Sequence, residues 1–410
     1  AWGCWDRDDN NLACYRLETS QVPIDTISHR QLFGSGRLTG LADQYGIVEL
    51  YSRARGEPCC LTACGVRSFS GFLPELHSGG TGMPLLPAAS TGLQPPQMTW
   101  GIGYVMYRSV CEVDDGGDIA WEWTLAALPG KEFFVGTLSL SAQGSKPIHA
   151  TVTVRCDVNP KPDHLFSGKQ HEFVKESVAM LTDLHPDIGD VFLAGPDGMT
   201  ALSEIPSLVL QSGELQLVPG KSWTATFMVG TARNCSVDWL RSERDALGDN
   251  ESGRRWAQLL GEHKVRAPEL WMQTECQWDS GRLLNFVRPD PAAVKPVLSP
   301  GGQDLFGGCD DADGRAPMTR DLLSLTLPLS CRLPDLAFST LTAVTAEQNA
   351  CGSLPENLGG PAPTDLGADV CELRSDNEIW LLTAWVFFIC QHGRQDLLDT
   401  LCPFADGGDD

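Results

Sequence analysis

The sequence predicts a multidomain protein in which antiparallel β-sheet comes first along the chain and α-helices follow. Up to about residue 235, short runs alternate between apolar and polar side chains, as strands with one buried face do. Turn sequences such as Pro196-Asp197-Gly198 and Pro219-Gly220 separate these runs, and no long helical pattern lies between them. After Asn234 the apolar positions recur every three or four residues, which indicates helices.

The predicted strands share short length, alternation and β-branched or aromatic residues. They cover residues 103–110, 120–125, 133–140, 149–156, 208–210, 215–217 and 223–229. Many short strands spaced by turns predict a β-sandwich, because a parallel sheet would need a helix between successive strands.

The predicted helices are defined by apolar spacing and by their stop signals. They cover residues 237–260 with an interruption at 248–250, then 268–284, 319–327, 335–346 and 377–392. Gly393 is a natural stop for the last of these. Its central part, Ile379–Cys390, is too short to span a membrane, and we expect it to form a buried helix.

Composition excludes several classes of partner. A formal net charge of −23 argues against nucleic acid and against anionic membranes, since both require clustered Lys and Arg. A neutral or small polar ligand is compatible with this charge. The 15 cysteines contain no CxxC pair, which excludes a zinc ribbon. Many lie in apolar runs, so we expect mostly reduced thiols, and a cytoplasmic location is favoured over others.

Four stretches, taken in order, carry a family resemblance. They are 2–10 (WGCWDRDDN) with 40–46 (GLADQYG), 256–260 with 265–268, 299–310 (SPGGQDLFGGCD) and 375–381 (SDNEIWL). Their order and spacing resemble the inverting glycoside phosphorylases of the cellobiose, chitobiose and cellodextrin phosphorylase type, which also occur in cyclic β-glucan synthases. The chain looks like the first half of such an enzyme.

The resemblance implies three regions. Residues 1–235 would form a β-super-sandwich, residues 236–268 a helical linker, and residues 269–410 an incomplete (α/α)6 barrel. A barrel cut midway leaves apolar helix faces uncovered, so a second polypeptide or a homo-oligomer is expected to cover them.

The resemblance also implies a reaction, the reversible phosphorolysis of a β-glycosidic bond with inversion. One enzyme acid protonates the departing oxygen, and inorganic phosphate attacks the anomeric carbon from the opposite face. Phosphate would be a co-substrate, and no cofactor or metal is implied. The family's acid lies beyond the position equivalent to Asp410, so no catalytic residue is assigned.

Five residues are candidates for binding a β-linked oligosaccharide or glucan. They are Asp310, Asp313, Asp376, Asn377 and Trp380. Four of them have an alternative: the two aspartates of the loop could simply be solvated or could bind Ca²⁺ weakly, Asp376 could be a helix N-cap, and Trp380 could be a core residue.

The motif that would hold the donor sugar departs from the family pattern. Cys309 stands where the family has an arginine, and Gly314 stands where it has an aspartate. Cysteine cannot supply the fork of donors that a guanidinium offers to a pair of hydroxyls. Two functions therefore remain open: a glycoside phosphorylase-like protein that is not competent alone, and a catalytically inactive structural or carbohydrate-binding subunit.

Overall fold

The computed structural model describes most of the chain, and every structural statement below concerns the residues described. They are residues 3–17, 31–34, 38–43, 46, 48–52, 59–60, 72–86, 96–113, 117–158, 171–185, 189–204, 207–232, 235–248, 250–261, 268–284, 287–289, 296–298, 319–355, 376–402 and 405. The chain divides into two compact units, one of residues 1–55 and 59–285 and one of residues 56–58 and 286–410. The finer division at residues 235 and 268 remains a prediction.

A ten-stranded antiparallel sheet dominates the first unit. In spatial order its strands are β1 (Gly3–Arg7), β2 (Ala13–Leu17), β9 (Gln97–Gly101), β10 (Tyr104–Val113), β11 (Gly117–Ala127), β12 (Phe133–Gln143), β20 (Ser222–Ala232), β16 (Gly189–Ala194), β15 (Val178–His185) and β14 (His171–Lys175).

A smaller sheet packs against the large one, and all of its described strand pairs are antiparallel. Its strands run β17 (Met199–Glu204), β18 (Ser207–Ser212), β13 (Ile148–Asp157), β7 (Phe72–Ser78) and β8 (Thr81–Pro84), and β19 (Leu215–Leu217) also pairs with β13. A four-stranded sheet contains β3 (Gln31–Gly34), β4 (Leu38–Ala42), β5 (Val48–Ser52) and β6 (Cys59–Cys60).

Six α-helices follow the strands in the described part of the chain. They are α1 (Val237–Asp245), α2 (Glu251–Gly261), α3 (Leu270–Leu284), α4 (Thr319–Arg332), α5 (Pro334–Thr345) and α6 (Asn377–His392). The second unit also contains a hairpin of β21 (Val287–Pro289) and β22 (Pro296–Leu298), and a 3₁₀ helix, Gln395–Asp399. None of the helices described is both long and apolar enough to cross a bilayer.

The predicted order of antiparallel strands and then helices is confirmed. Gly198 and Gly220 have φ angles of 87° and 75°, as the turns predicted there require. Gly393 ends α6 with a φ of 64°. Helix α4 is longer than predicted: it does not end at residue 327 but continues through Pro328 to Arg332. Tertiary packing explains this, since leucines on both sides of the proline are fully buried.

The core of the first unit lies between the two larger sheets and is built around Trp123 of β11. Its ring centroid lies 5.0 Å from that of Phe72 on β7, in an edge-to-face arrangement, and 6.2 Å from that of Phe227 on β20. All three side chains are fully buried. The alternation of β11 places Trp121, Trp123 and Leu125 on this side, so period two in the sequence determines which face is buried.

The aromatic motif at the start of the chain anchors α3 to the large sheet. Trp5 makes edge-to-face contacts with Tyr15 on β2 and with Trp278 on α3. Gln277 accepts hydrogen bonds from the Ala13 backbone at 2.9 Å and from the Arg7 guanidinium at 3.3 Å. These contacts explain why α3 belongs to the first compact unit.

Buried thiols make the stability of the first unit sensitive to alkaline pH. Burial raises the pKa of Cys14 and of Cys111 to about 11, and it raises the pKa of Cys156 further still. In the unfolded chain a thiol ionises near pH 8.5. Above that pH the folded state holds more protons than the unfolded state, so stability falls as pH rises.

We therefore expect the free energy of unfolding to drop by about 2 kcal/mol for each of these thiols between about pH 8 and pH 10.5, since one pKa unit corresponds to about 1.4 kcal/mol. Urea unfolding under reducing conditions measures this. The variant C156A should show a shallower decline than the exposed-site control C4A. An unchanged slope in C156A would argue against the thiol as its source.

Candidate functional site

The candidate site lies in the second unit, where α4 and α6 begin. Asp376 occupies the N-cap position of α6, but its side chain makes no capping hydrogen bond. Its Oδ2 atom instead pairs with Nη1 of Arg320, at 3.0 Å, in the first turn of α4. The side chains of Asp376 and Arg320 are 37% and 53% exposed, so a ligand in solvent can reach both. Asp376 therefore has the N-cap position that the alternative predicted, but its carboxylate pairs with Arg320 and does not cap the helix.

The two helix starts are tied together through one backbone carbonyl. The oxygen of Pro355 accepts hydrogen bonds from Oγ1 of Thr319 at 2.7 Å and from Nδ2 of Asn377 at 3.4 Å. Asn377 is buried. Glu378 adds a third link, because its Oε1 accepts the backbone N–H of Leu354 at 3.0 Å. Asn377 thus helps to hold Pro355, whose carbonyl links the two helix starts. A role of Asn377 in binding a sugar remains a prediction.

Trp380 lies one turn into α6, and its backbone N–H donates to the Asp376 carbonyl at 2.9 Å. The Trp380 side chain is half-buried, which fits neither a fully buried core residue nor a fully open platform. Asp310 and Asp313 lie outside the described residues, as does Cys309. Of the five predicted residues, the structure therefore places three, Asp376, Asn377 and Trp380, at the start of α6.

The electrostatics of this place suit oxygen-rich ligands. The backbone N–H groups at a helix start are only partly bonded within the helix, and they carry a partial positive charge. Two such starts lie side by side here, with the Arg320 guanidinium next to them. A carboxylate accepts from sugar hydroxyls and a guanidinium donates to them, so the Asp376–Arg320 pair can bind two neighbouring hydroxyls of one sugar ring.

Sequence reasoning did not identify Arg320. The available signal was its position, in the first turn of a predicted helix that follows the acidic loop of Asp310 and Asp313. A first-turn arginine is unusual because the helix dipole disfavours a cation there. Its proximity to Asp376 depends on how α4 packs against α6, and no local pattern predicts that.

Comparison with known proteins shows similarity of fold alone. No sequence family and no curated protein sequence matches the chain. A solved structure assigned as a kojibiose phosphorylase from the human microbiome superposes with a TM-score of 0.53 at 10% identity, over 77% of this chain and 47% of that one. The present chain thus spans about half of its length.

Two further structures match more weakly, over about half of this chain. A GalM/aldose epimerase homologue from C. elegans has a TM-score of 0.34 at 10% identity, over 50% of this chain and 99% of that one. A 4-α-glucanotransferase from Thermococcus litoralis has a TM-score of 0.33 at 10% identity, over 51% of this chain and 40% of that one. The first match shows a shared fold, in which antiparallel β-sheets are followed by a helical region.

Proposed function

We propose that this chain is a carbohydrate-active protein of the glycoside phosphorylase type, which binds a β-linked gluco-oligosaccharide. The observation that carries the proposal is the solvent-accessible Asp376–Arg320 pair at two adjacent helix starts. The fold shared with a structure assigned as a kojibiose phosphorylase supports it. In this proposal the helical region is part of an (α/α)6 barrel.

Each site residue has a distinct role in this proposal. Asp376 and Arg320 bind neighbouring hydroxyls of the donor sugar, and Trp380 packs against an apolar face of the ring. Arg320 supplies the fork of donors that Cys309 cannot. Asp310 and Asp313, which precede α4 in the sequence, accept hydrogen bonds from further sugar hydroxyls. Inorganic phosphate is the co-substrate of the reaction, which inverts the anomeric carbon.

A second candidate is a catalytically inactive carbohydrate-binding subunit. The observation that favours it is Asn377, whose side-chain amide donates a hydrogen bond to the buried Pro355 carbonyl. In the stretch 375–381, Asn377 takes the place of the second aspartate of the Ser-Asp-Asp-x-x-Trp-Leu motif of the phosphorylases that the sequence resembles. An asparagine held in this way offers no carboxylate to the reaction. The two candidates share the binding site and differ only in whether a sugar 1-phosphate is formed.

One experiment separates the candidates. The purified chain is incubated with inorganic phosphate and a panel of β-linked gluco-oligosaccharides, with kojibiose added because of the structural match. Phosphorus NMR detects any sugar 1-phosphate, and saturation-transfer NMR on the same samples detects binding. Product formation supports the phosphorylase, and binding without product supports the subunit. A folded chain that gives neither product nor binding would contradict both.

A further inference from the structure

A histidine and a glutamate lie side by side on the outer face of the smaller sheet. Along β7, Phe72 packs against Trp123 of the large sheet, and strand alternation places Glu75 and His77 on the opposite face. Nε2 of His77 lies 3.7 Å from Oε2 of Glu75. That separation is longer than the about 2.7–3.2 Å of a hydrogen bond, so the two groups face each other without bonding directly.

Two buried polar atoms in this place have no hydrogen-bond partner in the structure as described. One is Nε2 of His77, and the other is Oγ1 of Thr153 on β13, a residue that is only 5% exposed. Thr153 is the direct cross-strand partner of Glu75, so both side chains point to the same face. A buried polar atom that stays unpaired costs about 1–3 kcal/mol, and native proteins rarely keep one without a bound water or ion. Two such atoms next to one carboxylate indicate a bound species.

The separation of His77 and Glu75 fits a divalent metal ion. Zinc binds a histidine nitrogen or a carboxylate oxygen at about 2.1 Å, so two such ligands at a tetrahedral angle lie about 3.4 Å apart. The observed 3.7 Å is close to this value, and both side chains are partly exposed, so a small rotation of either one closes the difference. Imidazole and carboxylate are both ligands that zinc accepts.

The neighbouring residues leave room for the ion and do not oppose its charge. Gly82 of β8 is the cross-strand partner of His77, and the imidazole lies over it, with Nδ1 only 2.7 Å from where a Cβ atom would be. Arg155 follows Thr153 on the same face, but its Nη2 pairs with Oε2 of Glu204 at 2.7 Å, which balances its charge. The net charge of −23 also attracts cations to the chain.

We propose that His77 and Glu75 bind a divalent transition-metal ion of the zinc class on this face. Nε2 of His77 and the carboxylate of Glu75 are the two protein ligands. No third His, Cys, Asp or Glu among the described residues joins them, so water fills the remaining positions. The hydroxyl of Thr153 bonds one of these waters, which gives its buried oxygen a partner. The metal site lies in the first unit and does not depend on the proposed sugar site in the second.

A Co²⁺ titration of the full chain, followed by NMR of the histidine side chains, tests the proposal. Co²⁺ stands in for zinc because it takes similar ligands and, being paramagnetic, broadens the signal of a histidine that binds it. The chain has eight histidines, and H77Q identifies the His77 signal by its absence. We expect the His77 signal to broaden at a lower Co²⁺ concentration than the His149 signal. Because the readout is an imidazole signal, binding of Co²⁺ to thiols does not interfere.

Three variants test the ligands. E75Q should weaken Co²⁺ binding about tenfold or more, since it removes one of two protein ligands. T153V should weaken binding severalfold without lowering stability, because an unpaired buried hydroxyl is replaced by a methyl group of the same shape. E214Q is the matched control: Oε1 of Glu214 lies 3.3 Å from Nδ1 of His149, but the two side chains are 75% and 56% exposed. We expect E214Q to bind Co²⁺ at His77 like the wild type.

A His77 signal that Co²⁺ never broadens, or broadens only together with that of His149, would overturn the proposal. So would an E75Q chain that binds Co²⁺ as tightly as the wild type. Circular dichroism shows that each variant is folded. Sugar binding should be the same with and without Co²⁺, so the metal site can fail while the proposed function holds, and the reverse.

Discussion

Replacing Asp376 by asparagine should weaken binding of a β-linked gluco-oligosaccharide at least tenfold. The change keeps the shape of the side chain but removes the negative charge of the carboxylate, which accepts hydrogen bonds from the sugar hydroxyls. A hydrogen bond to a charged group contributes about 1.5–3 kcal/mol, and about 1.4 kcal/mol corresponds to a factor of ten in affinity. Titration calorimetry or ligand-detected NMR measures the loss.

The partner variant R320Q should cause a similar loss, and the double variant should lose less than the sum. Asp376 and Arg320 are 3.0 Å apart and act on the same ligand, so their effects cannot be independent. Stability should hardly change in either variant, since an exposed ion pair contributes about 0–1 kcal/mol. A drop in affinity without a drop in thermal midpoint would therefore identify a binding role.

A matched control exists in the same unit. Asp396 forms an exposed ion pair with Arg394, with Oδ2 2.8 Å from Nη2, in the segment that follows α6. The variant D396N removes the same kind of charge from the same kind of pair, and we expect sugar affinity to stay at the wild-type value. If D376N and D396N behave alike, the sugar does not bind at the Asp376–Arg320 pair.

The largest stability effect is expected for Gly103→Ala. Gly103 has a φ of 79° in the turn between β9 and β10, and a methyl group there would overlap the indole ring of Trp256 on α2. That ring is buried, and its Nε1 donates to the Ala127 carbonyl at 2.9 Å. The left-handed backbone costs about 1–2 kcal/mol for alanine, and overpacking adds about 1–3 kcal/mol. We expect a total loss of about 2–5 kcal/mol in urea unfolding.

Gly130→Ala separates the two contributions. Gly130 has the same φ of 79°, but a methyl group there would meet no atom within 4 Å. Only the backbone cost of about 1–2 kcal/mol should remain. Equal losses at Gly103 and Gly130 would show that the Trp256 contact does not constrain the turn.

Part of the β-rich unit follows from local pattern, and the missed strands show where pattern fails. The seven predicted strands all occur, and β10 to β13 extend the predicted runs by a few residues. Strands β1 to β9 and β14 to β17 were not assigned; the stretch of β3 to β6, for example, mixes glycines and polar residues with short apolar runs. Alternation over a few residues is too weak a signal there, and pairing with neighbours stabilises such strands.

The candidate site was predictable only in part. The pattern of residues 375–381 directed attention to Asp376, Asn377 and Trp380, and the structure does place them at one helix end. Their roles were not predictable, because the burial of Asn377 depends on the Pro355 carbonyl and the pairing of Asp376 depends on Arg320. Both partners come from other segments of the chain.

The sequence by itself determined the order of the two structural classes, the buried face of strands such as β11, and ends such as Gly393. These depend on side-chain period and on the φ preference of single residues, which are local properties. Tertiary structure alone decided that β12 pairs with β20, that α4 continues through Pro328, and that Arg320 meets Asp376. It also decided that one face of α6, a helix that the sequence predicted to be buried, stays exposed at Ile379 and Leu382. Such outcomes depend on packing between distant segments, where many weak contacts outweigh local preference.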